Sequence, residues 1–353
     1  MSRAEKITGF DPNSPADPAS SLFGLPFDTS EAEVVVVPVP WDVTVSYKDG
    51  ASRGPDAILA ASAQVDLYDP SVPEAWKIGL AMDEISAEVR DAAARLREDA
   101  KSYIDAITTG VDPLSVAATE GIRDAVNAGS RWLNAWVETR CRHWLDQGKL
   151  VALLGGDHST PFGLLKALSA AHESFGILQI DAHADLRDAY EGFTHSHASI
   201  MRNALRLPQV SHLVQVGIRD YCQEEADVIA GEPARIATFF ERDLKHAQFA
   251  GATWAQQVHN IIERLPHRVY VSFDIDGLDP KLCPNTGTPV AGGLEFEQAV
   301  YLIERVARSG RTIIGCDLNE VAPGPGDSEW DANVGARLLF RMCNLMAVSN
   351  GRA

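Results

Sequence analysis

The sequence predicts an α/β fold, in which a mostly parallel β-sheet carries helices on both faces. Short apolar segments alternate with amphipathic helical segments along the chain, the pattern typical of a parallel sheet. Most of these apolar segments are continuous rather than alternating, as expected for strands buried on both faces. The 353 residues contain no internal repeat and no long linker. We therefore expect one domain at residues 33–353, preceded by a Pro-, Ser- and Asp-rich arm at residues 1–32.

The elements follow in order along this domain. The predicted strands are Glu33–Val37, Leu150–Leu154, Phe175–Ile180, Leu213–Val216, Val269–Phe273 and Thr312–Cys316. The predicted helices are Ala117–Asp146, Pro161–Ala171, Trp254–Leu265 and Phe296–Ser309. Residues 82–110 have the weakest pattern and are interpreted as a helical insertion.

Composition and charge exclude several classes of protein. A net charge of −18 and the absence of any Lys/Arg cluster argue against a nucleic-acid-binding protein. The five cysteines form no CxxC pair, which favours reduced thiols over a disulfide framework. No apolar run approaches the roughly 20 residues that a membrane span needs, and the N-terminus has no apolar signal segment. These features predict a cytoplasmic protein without nucleic-acid or membrane partners.

Polar segments with metal-binding chemistry follow four of the predicted strands. They read GGDHST, DAHAD, DIDGLDP and DLNEVAP. Ligands of open parallel sheets bind outside the carboxyl ends of the strands. Taken singly, the histidine after Gly-Gly is more often a capping or packing residue, and an Asp pair often caps a loop. Taken together, so many buried like charges would each cost several kcal/mol unless paired or bound to a cation.

The candidate ligands supply two imidazole nitrogens and four carboxylates. They are His158, Asp181, His183, Asp185, Asp274 and Asp276. One ion with six such ligands would leave little room for substrate, so two divalent ions that share a water fit better. The oxygen-rich set favours Mn²⁺ first. No cysteine lies in the cluster, which argues against a structural zinc site.

Three of these segments resemble the signatures of a known family. GGDHS, DAHAD and SFDIDGLDP, in this order and spacing, resemble those of the ureohydrolases, which include arginase, agmatinase and guanidinobutyrase. The resemblance runs from about Val34 to Met346 and includes the upstream segment PWDVTVSYKDGASRGPDAI. It implies a three-layer α/β/α fold, a homo-oligomer (trimer or hexamer) and a binuclear metal site. One departure is visible, because Asn285 stands where the family usually has Gly or Ala.

The resemblance also implies a role for each candidate residue. One ion would be held by His158, Asp181, Asp185 and Asp274, and the other by Asp181, His183, Asp274 and Asp276. Glu320 would grip the guanidinium group, and His197 would shuttle protons, with His195 as a nearby competitor. The implied reaction is hydrolysis of a guanidino compound to urea and an amine or ammonia, by hydroxide shared between the two ions.

The substrate is predicted less directly. The short acidic loop LRDAYEGFT disfavours substrates that carry a carboxylate, whereas Asp188 or Glu191 would tolerate an amine. The segments WDVTVSY and SEWDANVGARL resemble agmatinase-like enzymes that hydrolyse free guanidine, in which nickel is the working metal. Free guanidine is therefore the first expectation, followed by agmatine and then by another guanidino or biguanide compound.

Two further residues are assigned to the substrate, and two other functions stay open. Thr44 would hydrogen-bond a guanidine nitrogen and Trp330 would cover the cation by a cation–π contact, although strand-edge and packing roles are the ordinary interpretations. The metal is Mn²⁺ or Ni²⁺, the latter with nickel-loading accessory proteins. The alternatives are a non-catalytic partner subunit of a ureohydrolase and a mononuclear zinc deacetylase.

Overall fold

The central element is an eight-stranded, all-parallel sheet, which confirms the predicted fold class. The computed structural model describes residues 2–16, 21–109, 117–326 and 328–353. The strand order is β2-β1-β3-β8-β7-β4-β5-β6. The strands are β1 Val34–Val39, β2 Leu80–Met82, β3 Leu150–Gly155, β4 Phe175–Ile180, β5 Val210–Val216, β6 Ile236–Phe239, β7 Arg268–Asp274 and β8 Thr312–Asn319.

The two strands that the sequence did not predict are the edge strands of the sheet. β2 has three residues and β6 has four, and three of the four residues of β6 are partly exposed. A short edge strand buries less of its surface than a central one, so it carries a weak hydrophobic signal. The six predicted strands are the six central ones.

Helices cover both faces of the sheet. They are α1 Arg3–Gly9, α2 Gly54–Ser62, α3 Ala87–Thr108, α4 Ala117–Asp146, α5 Phe162–Ala171, α6 Ile200–Ala204, α7 Gln223–Gly231, α8 Glu241–Phe249, α9 Trp254–Ile262, α10 Phe296–Ala307 and α11 Trp330–Ser349. Helices α2, α9, α10 and α11 contribute to one core, and α3, α4, α5 and α6 to the other. The valines of β1 point alternately into the two cores. The predicted three-layer arrangement is therefore present.

The segment at residues 82–110, which the sequence left weakly defined, contains the long helix α3. The Ser86 hydroxyl caps its N-terminus by accepting a hydrogen bond from the Val89 amide. Its apolar residues recur at helical spacing and are buried, among them Val89, Leu96 and Ala100. They share a core with Leu133 and Val137 of α4. Helices α3 and α4 thus form a packed pair on one face of the sheet.

The N-terminal segment is partly built into the domain. Within the residues predicted to form an arm, Leu22, Phe23, Leu25 and Phe27 are buried in the same core as α2 and α11. This core therefore includes residues on the N-terminal side of the predicted boundary at residue 32. Among the described helices, none is long and apolar enough to cross a membrane.

Candidate metal centre

The acidic and imidazole side chains converge at the carboxyl ends of four adjacent strands. His158 follows β3, Asp181 follows β4, Asp274 ends β7 and Glu320 follows β8. These strands are neighbours in the order β3-β8-β7-β4. Because the strands are parallel, residues far apart in sequence meet at one edge of the sheet.

One group of ligand atoms surrounds Nδ1 of His158. This nitrogen lies 3.0 Å from Oδ2 of Asp181, 3.0 Å from Oδ2 of Asp185 and 3.4 Å from Oδ2 of Asp274. His158 and the three carboxylates are buried. Candidate ligand atoms of His158, Asp181 and Asp185 all lie within 4.8 Å of one another. Such a set has the spacing that a single divalent ion requires.

A second group shares Asp181 with the first. Nδ1 of His183 lies 3.1 Å from Oδ2 of Asp276 and 3.7 Å from Oδ1 of Asp181. The ligand atoms of these three residues also lie within 4.8 Å of one another. The structure therefore brings all six predicted ligands together, in two groups joined through Asp181.

A hydrogen-bonded chain fixes the ring of His158. The Ser272 hydroxyl donates to Oδ1 of Asp317 over 3.1 Å, and the same hydroxyl lies 2.9 Å from Nε2 of His158. Since its proton is directed to Asp317, Ser272 accepts from Nε2. The unprotonated Nδ1 then faces the carboxylates with a free lone pair, as a metal ligand requires.

The electrostatics of the cluster favour a bound cation. Burial, followed by the charge of Asp181, raises the pKa of Asp185 to about 7. Burial and the charges of Asp276 and Asp181 raise the pKa of Asp274 well above its ordinary value. Ionised carboxylates are thus unfavourable here without a compensating positive charge. The two oxygen-rich groups, each with one imidazole, fit divalent cations.

The backbone of the loops that carry the ligands has two unusual features, a close approach at a glycine and left-handed conformations at two other residues. A Cβ atom on Gly156 would lie 1.9 Å from the carbonyl oxygen of Trp41, so only glycine allows this approach between the loops after β1 and β3. Asp185 and Glu320 adopt left-handed conformations, with φ of 55° and 62°. Such conformations are costly for residues other than glycine and concentrate at functional sites.

Glu320 is buried beside the ligand cluster. Its Oε1 accepts a hydrogen bond of 3.0 Å from the His158 amide. Burial and the negative charge of Asp157 raise the pKa of Glu320 well above its ordinary value. The departure at Asn285 lies in the neighbouring loop, where its backbone amide and its side-chain Nδ2 donate to the Asp331 carboxylate over 2.9 and 2.8 Å. That contact ties the loop to the first turn of α11.

A cavity of about 540 Å³ opens onto the centre. Its walls are formed by some of the residues in the segments 46–48, 183–198, 220–225 and 288–290. His183, Asp185 and His197 all line it, and desolvation holds the pKa of His197 well below its ordinary value. His195 is not among the lining residues, and its ring lies 5.5 Å from that of Phe162. Of the two histidines, only His197 faces the cavity.

None of the residues assigned to the substrate is among those that line the cavity: Glu320 is buried beside the ligand cluster, and the other four lie elsewhere. Trp330 is 48% exposed, and its Nε1 donates to the Lys281 carbonyl, so it does not line the cavity. Thr44 is fully buried outside the lining, with no partner for its hydroxyl among the described residues. Asp188 is paired with Arg202 and Arg206. Glu191 does not line the cavity either.

One further acidic residue that faces the cavity, besides Asp185 and Glu225, was missed in the sequence. Asp220 lies in the cavity wall, is exposed and has no ion pair among the described residues. Its backbone is held beside the ligand loop, because its amide donates to the Ala182 carbonyl over 3.1 Å. Tyr47, Tyr190 and Tyr221 line the same space. A single Asp forms no recognisable motif in the sequence. Its position shortly after the predicted strand Leu213–Val216 was the one feature that could have indicated it.

Comparison with known proteins identifies relatives over most of the chain. The model of the arginase family matches residues 32–344. The chain is 30% identical over 316 residues to the N(1)-aminopropylagmatine ureohydrolase of Synechocystis sp., covering 89% of each chain. It is 32% identical to the protein of that name from Thermus thermophilus, over 91% of this chain and 92% of that one. It is 28% identical to the agmatinase of Bacillus subtilis, over 88% and 91%.

A solved structure shares the fold. The agmatine ureohydrolase of Thermoplasma volcanium superposes with a TM-score of 0.70 over 99% of both chains, at 22% sequence identity. The similarity covers the sheet, both helical layers and the strand ends that carry the ligand cluster.

Proposed function

The chain belongs to the arginase family and is a ureohydrolase of the agmatinase type, and from that premise we propose that its substrate is a guanidine bearing a cationic amine chain. Agmatine and N(1)-aminopropylagmatine, which give two of the compared relatives their names, are of this class. The observation that carries the proposal is the unpaired carboxylate of Asp220 in the wall of the cavity above the metal centre.

The size of the cavity supports a substrate with a chain. A volume of about 540 Å³ is typical of sites for small organic ligands. It far exceeds a bare guanidinium ion, which is no larger than a few water molecules of about 30 Å³ each. The cavity therefore has room for a chain that free guanidine, the first expectation from the sequence, lacks, and Trp330 is not among its lining residues.

The charges lining the cavity favour an amine over a carboxylate at the end of that chain. Arg187 lies 3.8 Å from Glu225, and its guanidinium stacks 4.8 Å from the ring centre of Tyr190. Its charge is thereby compensated within the wall. Asp220 and the tyrosine rings around it offer an ammonium group both a counter-ion and cation–π contacts. Lys48 also lines the cavity, and its positive charge would favour a carboxylate. Activity on 4-guanidinobutyrate, which carries a carboxylate, tests this effect.

Each residue of the site has a proposed task. The six ligands would hold two divalent ions, with Asp181 and Asp274 contributing to both sites. Such ions would supply hydroxide near neutral pH, because coordination lowers the pKa of water. Glu320 binds the planar guanidinium by charge-assisted hydrogen bonds and orients its carbon. His197, whose depressed pKa keeps it neutral, takes the proton that the attacking water loses and delivers it to the leaving amine.

His197→Ala is expected to lower kcat about 100-fold, because positioned proton transfer contributes roughly that much or more. Metal content per chain should not change, since His197 is not a ligand. The measurement is steady-state urea release with parallel metal analysis. His195→Ala is the matched control and should stay within about twofold of wild type. A larger loss in the His195 variant would transfer the role to that residue.

Asp220→Asn is expected to raise KM for agmatine about fivefold, the effect of losing one exposed ion pair of about 1 kcal/mol. The value for free guanidine should not change, because guanidine has no chain to reach the wall. Asp227→Asn, an exposed residue on α7, is the control for a general change in surface charge. Equal KM values for agmatine in the wild type and the Asp220 variant would remove Asp220 from the substrate site.

The test of the proposed function is urea release from protein loaded separately with Mn²⁺ or Ni²⁺. Agmatine, N(1)-aminopropylagmatine, free guanidine, arginine and 4-guanidinobutyrate are offered in parallel. We expect the highest kcat/KM for the two amine-bearing compounds. Highest activity on free guanidine would overturn the proposal in favour of the first expectation from the sequence. Highest activity on 4-guanidinobutyrate would overturn it too, and would indicate that Lys48 binds the carboxylate of the substrate.

A further inference from the structure

We propose that the helix pair α3–α4 sets the geometry of the substrate cavity, with Arg97 and Asn127 as positioning residues for two of its walls. Neither residue lines the cavity. Each reaches from its helix to the backbone of a loop that does. The inference rests on the proposed function for its kinetic consequences, whereas its structural part stands on these contacts alone.

Arg97, on α3, holds the loop that follows β1. Its Nη1 donates to the Val45 carbonyl over 2.7 Å and to the Val43 carbonyl over 3.2 Å. The next residues of that loop, Ser46 to Lys48, form one wall of the cavity. They belong to no helix or strand, so their position depends on such tethers. A guanidinium donating to two carbonyls fixes both the distance and the direction of the loop.

Asn127, on α4, holds the loop that follows the ligand motif. Its Nδ2 donates to the Gly192 carbonyl over 3.0 Å. Its Oδ1 accepts from the Thr194 amide over 2.9 Å and from the Thr194 hydroxyl over 3.1 Å. This loop carries Tyr190 and His197 into the cavity wall. One nearly buried amide side chain therefore bridges three backbone and side-chain groups of the loop.

The two tethers predict different kinetic effects. The wall held by Arg97 contains no metal ligand and no proton carrier, so its displacement alters substrate binding. The wall held by Asn127 contains His197, so its displacement alters proton transfer. Interactions made equally with substrate and transition state change KM, whereas misplacement of a reacting group changes kcat.

The experiment compares Arg97→Ala and Asn127→Ala with wild type in the metal-loaded protein. For the substrate that the wild type cleaves best, we expect Arg97→Ala to raise KM about tenfold with kcat within about twofold. We expect Asn127→Ala to lower kcat about tenfold with a smaller change in KM. Arg97→Lys, which retains a cationic donor, should have a KM close to that of the wild type.

Arg90→Ala provides a matched control. Arg90 lies two helical turns before Arg97 on α3 and pairs with Asp56 at the surface, at 3.0 Å. Hydrogen–deuterium exchange gives a readout that does not depend on activity. Exchange should increase at residues 43–48 in Arg97→Ala and at residues 190–197 in Asn127→Ala, and in neither segment in Arg90→Ala.

The outcomes separate this inference from the proposed substrate. Exchange equal to that of Arg90→Ala in both variants, or faster exchange with unchanged KM and kcat, would overturn the positioning role. If the wild type prefers free guanidine, the substrate proposal fails, while the exchange comparison still decides whether the helix pair holds the two loops.

Discussion

Asp181→Ala is expected to remove both metal ions and to lower kcat/KM by more than about 1,000-fold. The Asp181 carboxylate belongs to both ligand groups, with its two oxygens directed to His158 and His183. Loss of one shared carboxylate therefore weakens both sites at once, and without the ions hydroxide is no longer supplied near neutral pH. The measurement is the metal content per chain of purified protein, followed by urea release at saturating metal.

The control for this variant is Asp188→Ala, which removes a carboxylate only seven positions further along the same segment. Asp188 is paired with Arg202 and Arg206 at the surface and does not face the cavity. It should retain about two ions per chain and its activity. Two tightly held ions in Asp181→Ala would show that the two groups are not joined through this residue.

Glu320→Gln is expected to lower kcat/KM by roughly 100- to 1,000-fold, with metal content unchanged. Glutamine has the same shape and can still accept a hydrogen bond from the His158 amide, but it lacks the charge that we propose binds guanidinium. Truncating one partner of a buried, hydrogen-bonded charge pair costs about 2–5 kcal/mol. Urea release and metal analysis on the same preparation test both parts of the prediction.

The same substitution is expected to raise the melting temperature of metal-free protein. The pKa of Glu320 is raised by burial and by Asp157, so the folded state retains its proton to higher pH than the unfolded state. This group therefore contributes stability at low pH that is lost as pH rises, and at neutral pH its ionisation is unfavourable for folding. Glutamine removes that cost, so the stabilisation should grow as pH is raised.

Glu304→Gln on α10 makes the same chemical change at a residue paired with Arg308, which directly follows that helix. It should alter neither activity nor the pH dependence of stability. Unchanged kinetics in Glu320→Gln would remove this residue from the substrate site, and a melting temperature below wild type at all pH values would show that the carboxylate stabilises the folded protein.

The fold was predictable wherever burial dominates the sequence pattern. The central strands are apolar on both faces, and their continuous runs, such as Phe175–Ile180, coincide with β4. The edge strands Leu80–Met82 and Ile236–Phe239 were not predicted, because they are too short to contain a long continuous apolar segment. Helix α3 was left uncertain because its 22 residues are mostly charged on the outer face, which masks the buried stripe.

The ligand cluster was predictable because each ligand lies in a segment that follows a recognisable strand. The substrate contacts were not, since they depend on the direction in which loop side chains point. Asp188 turns to two surface arginines, and Trp330 is held outward by its bond to Lys281. Asp220, by contrast, reaches the cavity from a segment with no distinctive motif.

The strand order has a consequence for how the chain acquires its metals. β8, the last strand in sequence, lies between β3 and β7 and pairs with both. Until β8 is in place, the loop bearing His158 is not registered against the loop bearing Asp274, because β3 and β7 are not direct neighbours. The ligand cluster therefore exists only in the completed sheet.

Contacts between segments so far apart along the chain form slowly, since long loops must close first. Ions that bind the finished sheet but not its precursors stabilise the native state by mass action, by about 2.7 kcal/mol at a free concentration 100-fold above Kd. Metal ions bound during synthesis would thus stabilise the native position of the last strand. Metal starvation would reduce the yield of folded chains as well as the activity of those already folded.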